Sequence, residues 1–133
     1  MLMVDTYLAK SKVHGIGLFA AKKIKKGTLV WSFHPALDLS ISESDLNHLS
    51  SSSREQVLNY AYFNEKRGLY ILCGDDARFM NHNDDPNIQS IGFNDSNEEG
   101  KSFAARDIDK DEELTEDYGH FEKYDRNVEC GVF

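Results

Sequence analysis

Basic residues are in short supply: 15 Lys and Arg face 23 Asp and Glu, leaving a formal net charge of −8. That balance repels a phosphate backbone and argues against direct nucleic-acid binding, while it attracts a basic partner by long-range steering; the plainer reading is that it keeps the chain soluble. Cysteine is scarce as well. Cys73 and Cys130 stand without any CxxC spacing, so neither a disulfide framework nor a four-ligand structural zinc site is indicated, and no metal is expected. Long apolar runs are absent: nothing approaches the ~18 residues of a membrane span, and "MLMVDTYLAK" lacks the basic-then-apolar pattern of a secretory leader. These absences predict an intracellular protein, cytoplasmic or nuclear, with no membrane role.

What is present suffices for a core. The 133 residues match one domain, since single cores commonly form at about 100 to 200 residues, and the 40% hydrophobic content includes 8 Phe, 6 Tyr and 1 Trp. The expectation is a single domain over 1–133, with a core at about 4–119 and a C-terminal flank at 120–133.

Two stretches 84 residues apart are alike: "FAAKKIKKGTLV" from Phe19 and "FAARDIDKDEEL" from Phe103. Each reads as strand, tight turn, strand, with Gly27 and Asp111 as the turn residues that tolerate left-handed backbone. They suggest two similar corners of a mostly β body, and chance similarity of two amphipathic hairpins is the alternative. Further strands are predicted at Val4 to Leu8, 29–33, 69–73 and 88–93, which are β-branched or aromatic and bounded by turn signals. One short helical insert interrupts them. Ser42-x-x-Asp45 and Ser52-x-x-Glu55 have capping-box spacing, and Val57, Leu58, Ala61 and Tyr62 mark one helical face. "DSNEEG" (95–100) imitates a calcium loop, but its twelfth position is Arg106, where a bidentate glutamate is needed, so a hairpin loop is expected.

Three segments carry chemistry: "HGIGLFA" (14–20), "RFMNHNDDPN" (78–87) and "ELTEDYG" (113–119). In that order they resemble the SET-domain family of protein-lysine methyltransferases, in the form of a minimal stand-alone member. The paired strings RFxNHxxxPN and ELTxDYG carry most of the likeness. The resemblance implies a β-clip fold of several small sheets with a knot-like C-terminal crossing. It also implies S-adenosyl-L-methionine as methyl donor, with S-adenosyl-L-homocysteine as product.

Carried over by residue, His14, Gly15, Ile16 and Gly17 form a close-approach loop for the donor, and Arg78, Phe79, Asn81 and His82 hold its polar and adenine ends. Pro86 and Asn87 stiffen the following turn. Tyr118 matches the catalytic tyrosine and also lies at the donor, with Phe121 as a lid ring. Tyr62, Ser90 and Glu116 are expected in the channel for the acceptor lysine.

The chain departs from the pattern in places. Glu116 stands where an aromatic channel residue is common, and as an ionised carboxylate it would favour the lysine ammonium unless it accepts the proton or is itself raised by burial. Ser90 replaces a bulky residue and leaves room for a methylated lysine. The cysteine-rich zinc segment that often follows Asp-Tyr is missing, so Phe121, Tyr124 or Phe133 must cover the site, or a homodimer partner supplies the wall. The expected partner is a lysine-bearing, basic protein, histone or other. A catalytically silent SET-like binding module is the runner-up, and a free amino acid or N-terminal amine as acceptor is the third reading.

Overall fold

The computed structural model describes residues 1–91 and 100–117. Short strands dominate: β1 (Thr6–Lys10), β2 (Ile16–Ala20), β3 (Leu29–Ser32), β4 (Leu39–Ser42), β5 (Tyr62–Asn64), β6 (Leu69–Leu72), β7 (Asn81–His82), β8 (Ile88–Ile91), β9 (Lys101–Ala104) and β10 (Thr115–Glu116). Helices α1 (Glu43–Asn47) and α2 (Ser51–Tyr60) and a 3-10 turn (Asp76–Phe79) complete the described elements. The strands form four small sheets: β1-β2, β10-β7, β3-β9-β8 and β4-β6-β5. All pairings are antiparallel except β7 with β10, which run parallel with Thr115 opposite Asn81 and Glu116 opposite His82. The expected mostly β architecture of small sheets is what the chain adopts. The knot-like crossing falls on residues outside the described ones, as do Tyr118, Phe121, Tyr124, Phe133 and the loop at 95–99.

The two similar segments do not fold as two hairpins. In each, the flanking strands part into different sheets, so β2 pairs with β1 while β3 pairs with β9. Their turns instead pair with one another. Ile24 and Ile108 exchange amide-to-carbonyl bonds of 2.8 Å in both directions, the Ala20 amide donates to Glu112 O (3.0 Å) and the Ala104 amide to Thr28 O (2.9 Å). The Gly27 amide donates to Ala104 O (2.8 Å) and the Asp111 amide to Ala20 O (2.7 Å). Each bond has a mate with donor and acceptor copies exchanged, so the two corners are related by a local two-fold. Gly27 (φ 84°) and Asp111 (φ 69°) occupy the same left-handed turn position, which glycine accepts freely and aspartate tolerates.

This paired corner sits at the centre of the main core. Leu18, Ala20, Ile24 and Val30 from the first copy pack with Ala104, Ile108 and Leu114 from the second, and Met80 and Ile88 join them. Burial of each large aliphatic side chain stabilises by about 1.5–3 kcal/mol. A second cluster holds Trp31, Tyr62, Ile71 and Cys73, and a third holds Leu46, Ala61 and Tyr70 under Val57 and Leu58 of α2.

The helical insert begins and ends earlier than the capping pattern suggests. Ser42 does cap α1, accepting from the Asp45 amide at 3.0 Å, but α2 is capped by Ser50, which accepts from Ser53 N, and not by Ser52. Ala61 is its C-cap, so Tyr62 belongs to a strand opposite Ile71. Any serine of the run 50–53 could cap. With Ser50 as the cap, Val57 and Leu58 pack against the cluster of Leu46, Ala61 and Tyr70. Among the described residues no helix is long and apolar enough to cross a membrane.

Candidate functional site

The β1–β2 connection begins at Ser11, whose amide donates to the Gly15 carbonyl (2.8 Å), and Gly15 closes the loop at φ 48°. Ser11 Oγ accepts from the Val13 and His14 amides (2.9 and 3.2 Å) and lies 2.7 and 2.8 Å from the Glu113 carboxylate oxygens, to which its proton is donated. From β7, Asn81 Nδ2 donates to His14 O (2.9 Å), to Glu113 Oε2 (3.0 Å) and, more weakly, to Ile16 O (3.4 Å). Glu113 and Asn81 thus fix the loop 11–17 from below. Gly17 has a role the sequence did not suggest: a β-carbon there would lie 2.5 Å from Glu113 Oε2 and would displace that carboxylate from Ser11 and Asn81.

Asn87 is more than a stiff turn. It is almost fully buried (2% exposed), donates from Nδ2 to Glu113 O (2.7 Å) and Glu112 Oε2 (3.0 Å), and accepts from the Thr115 amide (2.9 Å). A buried amide satisfied on both ends locks the approach to β10, since breaking one such bond leaves a desolvated group. Leu114 and Thr115 are both buried, so the chain entering β10 is covered on both faces. The clamp pins Thr115 inward.

His82 stands between two carboxylates, with Nε2 2.9 Å from Asp84 Oδ1 and Nδ1 3.6 Å from Asp117 Oδ1. Arg78 lies over the Phe79 and Tyr60 rings (5.4 and 5.9 Å to the centroids), and those rings meet edge to face at 5.3 Å. The 3-10 turn carrying Arg78 and Phe79 packs against β1 and β2, which brings the second segment beside the first.

On the other side of β7–β10, Glu116 reaches β8 and β9. Ser90 Oγ donates to Glu116 Oε1 (3.2 Å) and lies 3.1 Å from Ser102 Oγ, which is itself buried. Burial pushes the Glu116 carboxyl up to about 7, against hydrogen bonds from Ser102 and Ser90 that favour its ionised form. The Cys73 thiol is held above its ordinary value, first by burial and then by the carboxylates of Asp38, Glu116 and Asp75, with the terminal amine opposing. Cys73 packs with Tyr62 and Trp31, whose rings meet edge-on at 6.3 Å. Ser90 and Glu116 thus belong to one hydrogen-bonded group, while Tyr62 packs with Cys73, whose thiol the Glu116 carboxylate helps to raise.

Sequence reasoning missed Ser11, Ser102 and Glu113. The repeat contained a signal for the last: Glu113 stands where the first copy has Leu29. Tyr118 and Phe121 lie outside the described residues.

The SET domain family model matches residues 15–119. Human "Histone-lysine N-methyltransferase 2D" is 29% identical over 140 residues, covering 95% of this chain and 2% of that protein. Drosophila melanogaster "Histone-lysine N-methyltransferase trr" is 32% identical over 127 residues, covering 86% of this chain and 5% of the relative. The chain therefore spans a small fraction of these relatives. Among solved structures, the Chaetomium thermophilum Polycomb Repressive Complex 2 matches with a TM-score of 0.68 and 27% identity, covering 94% of this chain and 17% of that one. The Neurospora SET domain protein DIM-5, a histone lysine methyltransferase, matches in fold with a TM-score of 0.63 and 22% identity, covering 88% and 53%. With the family match spanning most of its length and the three motif segments meeting around β7, this chain belongs to the SET domain family.

Proposed function

We propose that this chain is a protein-lysine N-methyltransferase that uses S-adenosyl-L-methionine and acts, as a single domain, on a basic protein such as a histone. The observation that carries the reading is the convergence at β7–β10: Asn81 ties the 14–16 loop to one side of the strand pair, and Glu116 with Ser90 lies on the other. The names of the relatives support lysine as the acceptor and histone as one substrate class.

The residues present suit the donor's mixed chemistry. Exposed Arg78 can take a carboxylate, the Phe79 and Tyr60 rings can face a purine, and the main chain at His14 to Gly17 with Asp84 and Asp117 suits cationic groups. When bound, S-adenosyl-L-methionine supplies an electrophilic methyl on a positive sulfonium. Everything else falls to the protein. Gly15 to Gly17, Asn81 and His82 position the donor, the match to the family's catalytic tyrosine assigns orientation of the acceptor amine to the Tyr118 hydroxyl, and the lid role falls to Phe121, Tyr124 or Phe133, or to a homodimer partner.

The acceptor must lose a proton first, and a free lysine holds it up to about pH 10.4. Desolvation beside Tyr62 and a nearby positive charge both lower that value. Glu116, poised at about 7, accepts the proton as a carboxylate becoming a carboxylic acid, which leaves a neutral amine with its lone pair available. Positioning and electrostatics then supply the catalysis.

Purified protein incubated with labelled donor and a mixture of basic proteins is expected to release S-adenosyl-L-homocysteine and to yield methylated lysines by mass spectrometry. Background levels of both would instead favour a silent SET-like binding module.

A further inference from the structure

Tyr60 lies in none of the three motif segments, yet its ring reaches the second of them. Two separately anchored pieces of backbone bring this about. On one side Tyr60 ends α2, and the next residue, Ala61, is buried with Leu46 and Tyr70 while its amide donates to Val57 O (2.8 Å). On the other, the Asp75 carboxylate holds the 3-10 turn by accepting from the Ala77 and Leu2 amides (3.1 and 2.7 Å), and buried Met80 closes it with an amide bond to Ala77 O (3.1 Å). Between these anchors the Tyr60 and Phe79 rings meet at 5.3 Å, and the Arg78 guanidinium lies over both.

Arg78 is exposed, and among the described residues no carboxylate forms an ion pair with it. A ring attracts a guanidinium without consuming its N–H donors, whereas a carboxylate would consume them. The rings therefore hold the charge and leave its donors available. A free arginine side chain loses rotamer freedom when it grips a ligand, and one already held has less to lose. Phe79 neighbours Arg78 in the chain and moves with it. Tyr60 comes from a different element, so it is the ring that fixes Arg78 relative to the rest of the protein.

We propose that Tyr60 is a positioning residue for the methyl donor, its ring holding the Arg78 guanidinium where the donor's amino-acid carboxylate arrives. This rests on the lysine-methyltransferase reading and on the pairing of Arg78 with that carboxylate. It goes further by making donor affinity depend on the seating of the helical insert, because α2 carries Tyr60.

A ring that faced the purine would act on every adenosine ligand alike, whereas a ring that holds Arg78 acts only on ligands with a carboxylate. S-adenosyl-L-homocysteine and its decarboxylated analogue differ in that group alone. Both are titrated by calorimetry into the wild-type protein, Tyr60→Phe, Tyr60→Leu, Arg78→Ala and the double variant Tyr60→Leu with Arg78→Ala. Tyr60 is 41% exposed, so these exchanges leave the core intact. Tyr60→Leu is expected to weaken S-adenosyl-L-homocysteine about three- to tenfold, the range of one cation–ring contact, and to change the analogue by less than about twofold. Tyr60→Phe keeps a ring and is expected to stay within about twofold of wild type for both ligands. In the Arg78→Ala background, Tyr60→Leu is expected to add nothing, because the contact it removes is already gone.

Equal losses for the two ligands would make Tyr60 a purine contact and overturn the positioning role. Unchanged S-adenosyl-L-homocysteine affinity in Tyr60→Leu, or additive losses in the double variant, would overturn it as well. In turnover, Tyr60→Leu should raise the KM for the donor by more than it lowers kcat. The calorimetric pattern without methyl transfer would sink the enzyme reading and leave the role of Tyr60 standing, whereas a wild-type protein that binds neither nucleoside would sink both.

Discussion

The corner at residues 19–30 and the corner at 103–114 share a backbone and differ in chemistry. Both close with the same turn bond, Thr28 N to Lys25 O and Glu112 N to Asp109 O, each 3.1 Å, and both bury an isoleucine at the same place. The first carries Lys22, Lys23, Lys25 and Lys26, whereas the second carries Asp107, Asp109, Asp111, Glu112 and Glu113 against Arg106 and Lys110. More telling is Glu113, charged where the first copy has the apolar Leu29, together with Ser102 and Glu116, which flank the second copy on either side. Those three residues build the networks on either side of β7–β10. The duplicated backbone is scaffold, and Glu113 with the flanking Ser102 and Glu116 adds polar groups that the first corner lacks.

The comparison predicts its largest effect at the shared isoleucines. Ile24→Ala and Ile108→Ala should each destabilise by about 3 kcal/mol in urea unfolding, because both leave a cavity in the same core. Costs that differ by more than about 1 kcal/mol would mean that the corners are not energetic equivalents. Glu113→Leu, which gives the second corner the residue of the first, should cost about 2 kcal/mol by leaving Ser11 and Asn81 donors without their acceptor. S-adenosyl-L-homocysteine affinity by calorimetry should fall with it, more than in Ile24→Ala if Glu113 positions the donor loop.

Glu116→Gln has a pH signature. A carboxyl held at about 7 in the fold, against an ordinary 4.5, binds more protons folded than unfolded. Its stabilising contribution is full below about 4.5 and is lost as pH rises through about 7. Wild-type and Gln proteins should therefore match near pH 4.5, and the Gln protein should be more stable by about 1–2 kcal/mol at pH 8, a figure trimmed because part of the residue reaches solvent. Parallel stability curves across that range would place the carboxylate in water.

Smallest are the turn exchanges. A β-carbon on Gly27 meets nothing within 4 Å, so Gly27→Ala tests the left-handed backbone alone and should cost about 1 kcal/mol. Asp111→Gly relieves the equivalent strain but forfeits the hydrogen bond from the Tyr7 hydroxyl, and should change stability by less than about 0.5 kcal/mol. That hydrogen bond, with lesser contributions from desolvation and the Asp111 charge, also raises the Tyr7 phenol, so the spectroscopic titration of Tyr7 should move down in Asp111→Gly.

Much of this was legible in the residues. The strand segments and the three motif strings needed only short-range patterns, and the likeness of the two corners was visible as a repeat. Their mutual pairing was not, because Phe-Ala-Ala followed by a turn looks the same whether its strands pair with each other or part into different sheets. Tyr62 was placed on a helix since its spacing from Leu58 fits either period, and only its remote partner Ile71 decides for strand. Glu113 and Thr115 escaped because alternation reports which face a side chain takes, whereas Asn87, a buried amide 26 to 28 residues upstream, decides what that face meets.

The paired corners also bear on how the chain finds its structure. β1 with β2 and β5 with β6 can form from neighbouring segments, but the bonds between Ile24 and Ile108 join residues 84 apart, and β2 and β3 do not pair across the first turn to hold it meanwhile. Loop-closure entropy at that separation grows only slowly, about 0.6 kcal/mol per doubling, yet it must be met before any of the reciprocal bonds form. Such topologies fold on the slower, millisecond-to-second scale. Until the second copy arrives, the amides of Ala20, Ile24 and Gly27 and the carbonyls of Ala20 and Ile24 form an unpaired polar edge, for which the 103–114 segment of a second chain carries the same donors and acceptors as the chain's own.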